Sequence, residues 1–217
     1  MSLRAAIRRA RQHVENQGLP VTLHYGPELT SAQFEELLSR AGDPPIPQSV
    51  IDVYSEIGDG FHFEWQEPDA HEPPFDDDVH DGKLEFPTLA TLVERRSDFA
   101  NAWWASEDFA KSGYRNPDLA QEQANRMVNW TWFVDEGNGD KLCIDFATEE
   151  VVYFDHTGIC DNIGENGTVM ASDLREFLIG WSSVCFAGPG GQFWPDAFTD
   201  DGIDWGPEYF GDRYQVP

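Results

Sequence analysis

The stretch 46-IPQSVIDVYSEIGDGFHFEW-65 holds a helix, a turn and a strand in twenty residues. Val50, Val53, Tyr54 and Ile57 fall on one helical face, and Pro47 suits the first turn, where a missing N–H costs nothing. Phe61, Phe63 and Trp65 then alternate with His62 and Glu64, the period of a half-buried strand. Between them lies Gly58-Asp59-Gly60. A phosphate cradle sets its glycines before a helix, where N–H groups and the positive end of the dipole face the anion. Here the glycines come after the helix, on the carbonyl side, which has the wrong sign for phosphate. Nearby there is no GxxxxGK[ST] and no GxGxxG. The turn therefore predicts a left-handed helix cap leading into a strand.

Working toward the N-terminus, Thr30 and Gln33 have the spacing of a capping box, and Phe34, Leu37, Leu38 and Ala41 form a helical stripe closed by Gly42. Residues 21–25 suit a short strand. Leu3, Ile7, Ala10 and Val14 carry helical spacing with Arg on the other face.

Toward the C-terminus, residues 66–83 are rich in Pro, Asp and Glu with little to bury, which predicts an exposed loop. A long helix is expected from Thr88 through Trp103-Trp104, with a second helical piece around 118–127. Residues 130–155 suit a strand meander, with Leu142, Ile144 and Phe146 on one face. A last helix is expected over 172–185, capped by Ser172, with Leu174, Phe177, Leu178 and Trp181 inward. Residues 188–217 mix Gly, Pro and Asp with Phe193, Trp194, Trp205, Tyr209, Phe210 and Tyr214. So aromatic a tail is expected to pack on the body or on a partner.

The 217 residues include 40 acids and 14 bases, a net charge of −26. Residues 1–50 balance five Arg against five acids, so residues 51–217 carry the whole excess. Such a field repels nucleic acid and anionic membrane and attracts basic partners, and it also keeps a protein soluble. The three cysteines, Cys143, Cys160 and Cys185, are widely spaced without a CxxC. Free thiols in a reducing compartment are expected. The N-terminal stretch is basic but lacks the apolar core of a secretory signal, so a cytoplasmic protein is expected.

Candidate chemistry is sparse. His71, Asp76, Asp77, Asp78, His80 and Asp81 have metal-binding side chains, but little around them would hold the ligands in place, and a solvated acidic insertion is the plainer reading. A metal-dependent hydrolase built on that loop is the enzymatic alternative. The turn 135-DEGNGDKLCIDF-146 fails as a calcium loop, because Gly137, Gly139 and Phe146 stand where ligands belong. No GxSxG or HExxH is present. Asp155-His156 could form an acid–base pair, but a solvated strand end is the commoner fate of such a pair. No cofactor and no metal are expected.

Three blocks resemble the SUKH superfamily (Smi/Knr-like) in sequence and order: the opening stretch, the segment from Gly139 to His156 (GDKLCIDF…VVYFDH), and LREFLIGW from Leu174 to Trp181. They span roughly residues 30–185, most of the chain. The family usually has Asn-Gly where this chain has Gly58-Asp59-Gly60. The Asp-rich insert, the long helix with Trp103-Trp104 and the tail are not general family features. The resemblance implies an α+β fold with a central, mostly antiparallel sheet and surrounding helices. It also implies a non-enzymatic immunity protein that neutralises a cognate bacterial toxin, or else a regulatory scaffold. No catalytic residues come with it.

The expected organisation is an N-terminal helical extension (1–29), a SUKH-like domain (30–187) and an acidic aromatic tail packed on it (188–217). The acidic balance suits a basic, nucleic-acid-targeting toxin, since carboxylates can occupy sites where phosphates would go. The residues expected to meet it are Asp76, Asp77, Asp78, Asp81, Asp200, Asp201, Asp204 and Trp205.

Overall fold

The computed structural model describes residues 1–67, 81–100, 122, 124–136, 139–155, 166–188 and 194–217. Helix α1 (Leu3–Asn16) is capped by the Ser2 hydroxyl, which accepts from the Ala5 N–H at 3.2 Å. Its Leu3, Ile7, Ala10 and Val14 are fully buried, and burying each of the large aliphatic ones is worth about 1.5–3 kcal/mol. Strand β1 (Val21–Tyr25) comes next, then α2 (Ser31–Arg40) with both halves of the Thr30–Gln33 capping box formed. Helix α3 (Gln48–Ile57) starts one residue later than its sequence suggests, with Pro47 as N-cap. The four residues of its predicted face are all fully buried.

The turn after α3 is where three chain segments cross. Gly58 has φ +94° and Gly60 φ +87°, values that side-chain-bearing residues rarely adopt. A Cβ on Gly58 would lie 2.5 Å from the Gly26 carbonyl oxygen, and one on Gly60 would lie 2.7 Å from that of Phe86. The backbone groups pair across the crossing: Asp59 N–H donates to Pro27 O at 2.8 Å and Gly26 N–H to Gly60 O at 2.8 Å. The Asp59 carboxylate accepts from the Leu89 N–H at 2.7 Å. It thus serves as a long-range cap of α4 (Leu89–Ala100). Tyr54 Oη donates to Pro87 O at 2.9 Å and ties the same junction from α3.

Strand β2 (Phe61–Gln66) is antiparallel to β1 and to β3 (Asp81–Phe86), with Phe63 opposite both Leu23 and Leu84. The expected exposed loop over 66–83 therefore overruns the start of a strand. Gly82, Leu84 and Phe86 are buried and alternate with exposed Asp81, Lys83 and Glu85. Beyond α4, residues 124–127 are helical. A second antiparallel sheet runs β4 (Trp130–Asp135), β5 (Lys141–Asp145), β6 (Val151–Phe154) and β7 (Val169–Ala171) in chain order. Both faces of this sheet are covered. Phe133, Leu142, Ile144, Val151 and Tyr153 join the main core, while Trp130, Cys143, Val152 and Phe154 form a second cluster with Met127 on the reverse. Burial is consequently continuous along β6 rather than alternating.

Helix α5 (Leu174–Ser183) is capped by Asp173, whose side chain accepts from Glu176 N–H at 2.7 Å. Ser172, the cap expected from sequence, instead bonds the Glu176 carboxylate through its own N–H at 3.1 Å. The tail continues as a 3-10 turn (Trp194–Ala197), a two-residue hairpin β8 (Phe198–Thr199) and β9 (Gly202–Ile203), a short helix α6 (Pro207–Phe210), and a 3-10 turn (Asp212–Tyr214).

The chain mixes α-helices with strands whose pairings are all antiparallel among the described residues. Among the described residues the strands form three sheets, of three, four and two strands, in place of one central sheet. Nor is segment 1–29 set apart from the rest of the chain: β1 is a member of the first sheet, and α1 packs on α3 and α5 in the main core.

Candidate functional site

Strands β3 and β4 are the end strands of their sheets among the described residues. They approach at Phe86 and Phe133, whose rings are 6.0 Å apart. Away from that point lies a groove of about 710 Å³, within the roughly 300–1,000 Å³ range of ligand clefts. Its apolar lining comes from the buried side chains of Leu84, Phe86, Phe133, Trp181 and Trp194. The order of residues along β3 explains the rest. Alternation sends Leu84 and Phe86 into the core and leaves Asp81, Lys83 and Glu85 on the outer side. Asp135 at the end of β4 and Glu136 just past it complete a set of four carboxylates, with Lys83 and Arg95, among the lining residues.

Both rim cations are already engaged. Lys83 Nζ lies 3.9 Å from a Glu64 carboxylate oxygen. The Arg95 guanidinium stacks on the Trp132 ring at 3.4 Å, and burial there lowers its pKa against the pull of Asp98, Asp135 and Glu85. Trp132 is also fixed by its indole N–H, which donates to Asp98 at 3.0 Å, and by Lys141 at 4.7 Å over the ring. Lys141 in turn pairs with Asp135 at 2.7 Å.

Glu136 differs from its neighbours. No cation among the described residues pairs with it, and burial pushes its carboxyl up to about 7. The residue itself is exposed. Asp140 and Asp135 repel its charge as well, and a hydrogen bond from the Trp194 N–H opposes them. Trp194 is only 3% exposed, and its buried indole N–H lies beside the Glu136 carboxylate.

The residues expected to meet a partner fall into separate places. Asp76, Asp77 and Asp78 lie outside the described residues, as do the rest of the His71–His80 stretch, His156 and Cys160. Asp81 is exposed on the groove rim. Asp200 and Asp201 are exposed at the β8–β9 turn. That hairpin packs by β9 against β7, the far strand of the second sheet from β4. Asp204 is exposed and accepts from Gly206 N–H at 2.8 Å. Trp205 is turned inward. Its ring lies 5.5 Å from Phe177 and 5.3 Å from Phe210, and a Cβ on Gly180 would lie 2.4 Å from its Nε1. Trp194, Phe210 and Tyr214 are buried; Trp194 and Trp205 cover Phe177 and Trp181 of α5, while the Tyr214 ring lies 4.1 Å from that of Trp65 in β2. None of residues 200–205 lines the groove.

Sequence reasoning missed Glu85, Asp135, Glu136 and Trp194 as a set. The first lies in a strand that the acidic run obscures, the next two at the edge of a turn, and Trp194 in the tail. Only folding brings them to one groove. Elsewhere, burial raises the pKa of the Cys143 thiol and pushes that of Cys185 to about 12, leaving neither reactive. Among the described residues no group of three or more His, Cys, Asp or Glu could hold a metal ion, and no helix is long and apolar enough to cross a membrane. No family model, curated protein or solved structure matches the chain.

Proposed function

We propose that this chain is a non-enzymatic, SUKH-like immunity protein that works in the cytoplasm. It binds a basic, nucleic-acid-targeting protein toxin and blocks the toxin's active site or substrate groove. The observation that carries the reading is the four-carboxylate rim between β3 and β4, on a chain whose −26 charge lies wholly in residues 51–217. A surface of that sign accelerates encounter with a basic partner and disfavours nucleic acid itself. Large apolar residues exposed among the described ones are only Met1, Val128 and Val169, so charge, more than an apolar patch, supports recognition on that surface. The sequence blocks that resemble the SUKH family also support the reading: α3, β5, β6 and α5 all contribute to one core.

The test is co-purification of the tagged chain from its native host, with the captured protein identified by mass and assayed for toxicity with and without the chain. One basic partner, silenced by the chain, is the expected result. Its association rate should fall about tenfold or more as salt rises from low to several-fold physiological ionic strength. Several weak partners whose activities are regulated rather than abolished would replace this reading with a Smi/Knr-type scaffold. An association rate indifferent to salt would remove the electrostatic part alone.

A further inference from the structure

We draw no further inference here: the strongest candidate, the outward face of α1 with Arg8 and Arg9 exposed on a chain of 40 acids, carries nothing because nothing in the structure shows what covers it.

Discussion

Asp59 and Glu136 are both acids just past a regular element, and the fold treats them oppositely. Asp59 sits in the crossing of residues 26–27, 58–60 and 86–89. There its carboxylate receives the Leu89 N–H and its own N–H reaches Pro27 O. Glu136 sits just past β4 with no cation beside it among the described residues; Asp135 and Asp140 repel its charge and the Trp194 indole N–H opposes them. The first region is satisfied from within. The second keeps a carboxylate on the groove rim that two neighbouring acids repel. Charge alone would not have separated the two residues; the presence or absence of partners does.

The largest effect is expected at the crossing. Gly58→Ala adds a Cβ 2.5 Å from Gly26 O at a φ of +94°, and both the clash and the strained dihedral must be relieved by moving β1 or α3. A loss of about 3 kcal/mol or more in denaturant unfolding is expected. A loss under about 1 kcal/mol would mean that the crossing is not a rigid junction.

Gly180→Ala tests the wall of the groove through the tail. Its Cβ would meet the Trp205 indole at 2.4 Å, and Trp205 touches Trp194 with ring centroids 6.2 Å apart. A cost of about 1–3 kcal/mol is expected, with a changed Trp194 indole resonance. An unmoved resonance would show that the tail does not position the groove wall.

Asp59→Ala removes only the cap on α4, for about 1 kcal/mol, and Asp59→Asn should restore part of it. The measurement is urea unfolding of the two variants side by side. Equal losses in both would mean that the negative charge, rather than the acceptor oxygen, is what α4 requires.

Glu136→Gln should give the smallest stability change and the opposite sign. The folded-state pKa of about 7 lies above the ordinary 4.5. The folded protein therefore binds the proton more tightly, and Glu136 lowers stability as pH rises from about 4.5 through about 7. Glu136→Gln should unfold at a slightly higher temperature than the parent at pH 8, and at the same temperature at pH 4. A variant less stable than the parent at pH 8 would mean that Glu136 already has a favourable partner.

How much the residues alone disclosed tracks the range of the interactions involved. Periodicity marks α1, α3, β2 and the inward face of α5, because those faces repeat within one element. The Thr30–Gln33 box is legible for the same reason, its two bonds spanning three residues. The cap of α5 slips by one residue, from Ser172 to Asp173, because both are good caps and only the local turn chooses between them. Strand β3 is hidden by the acidic run before it, although Leu84 and Phe86 alternate with Lys83 and Glu85. The two-sided burial of β6 is not legible, since Met127 and Trp130 cover its reverse face from elsewhere in the chain.

By itself, then, the sequence determined the helix and strand faces, the need for glycine between Ile57 and Phe61, and the acidic excess beyond residue 50. All of these depend on neighbours in the chain or on composition. The tertiary structure decided which acids are occupied and which are open. It turned Trp205 onto Gly180, gave Asp59 to α4, and set Glu136 beside Trp194 across nearly sixty residues of chain. Whether a polar group is satisfied depends on what folding brings to within about 3 Å of it, and no local pattern records that distance.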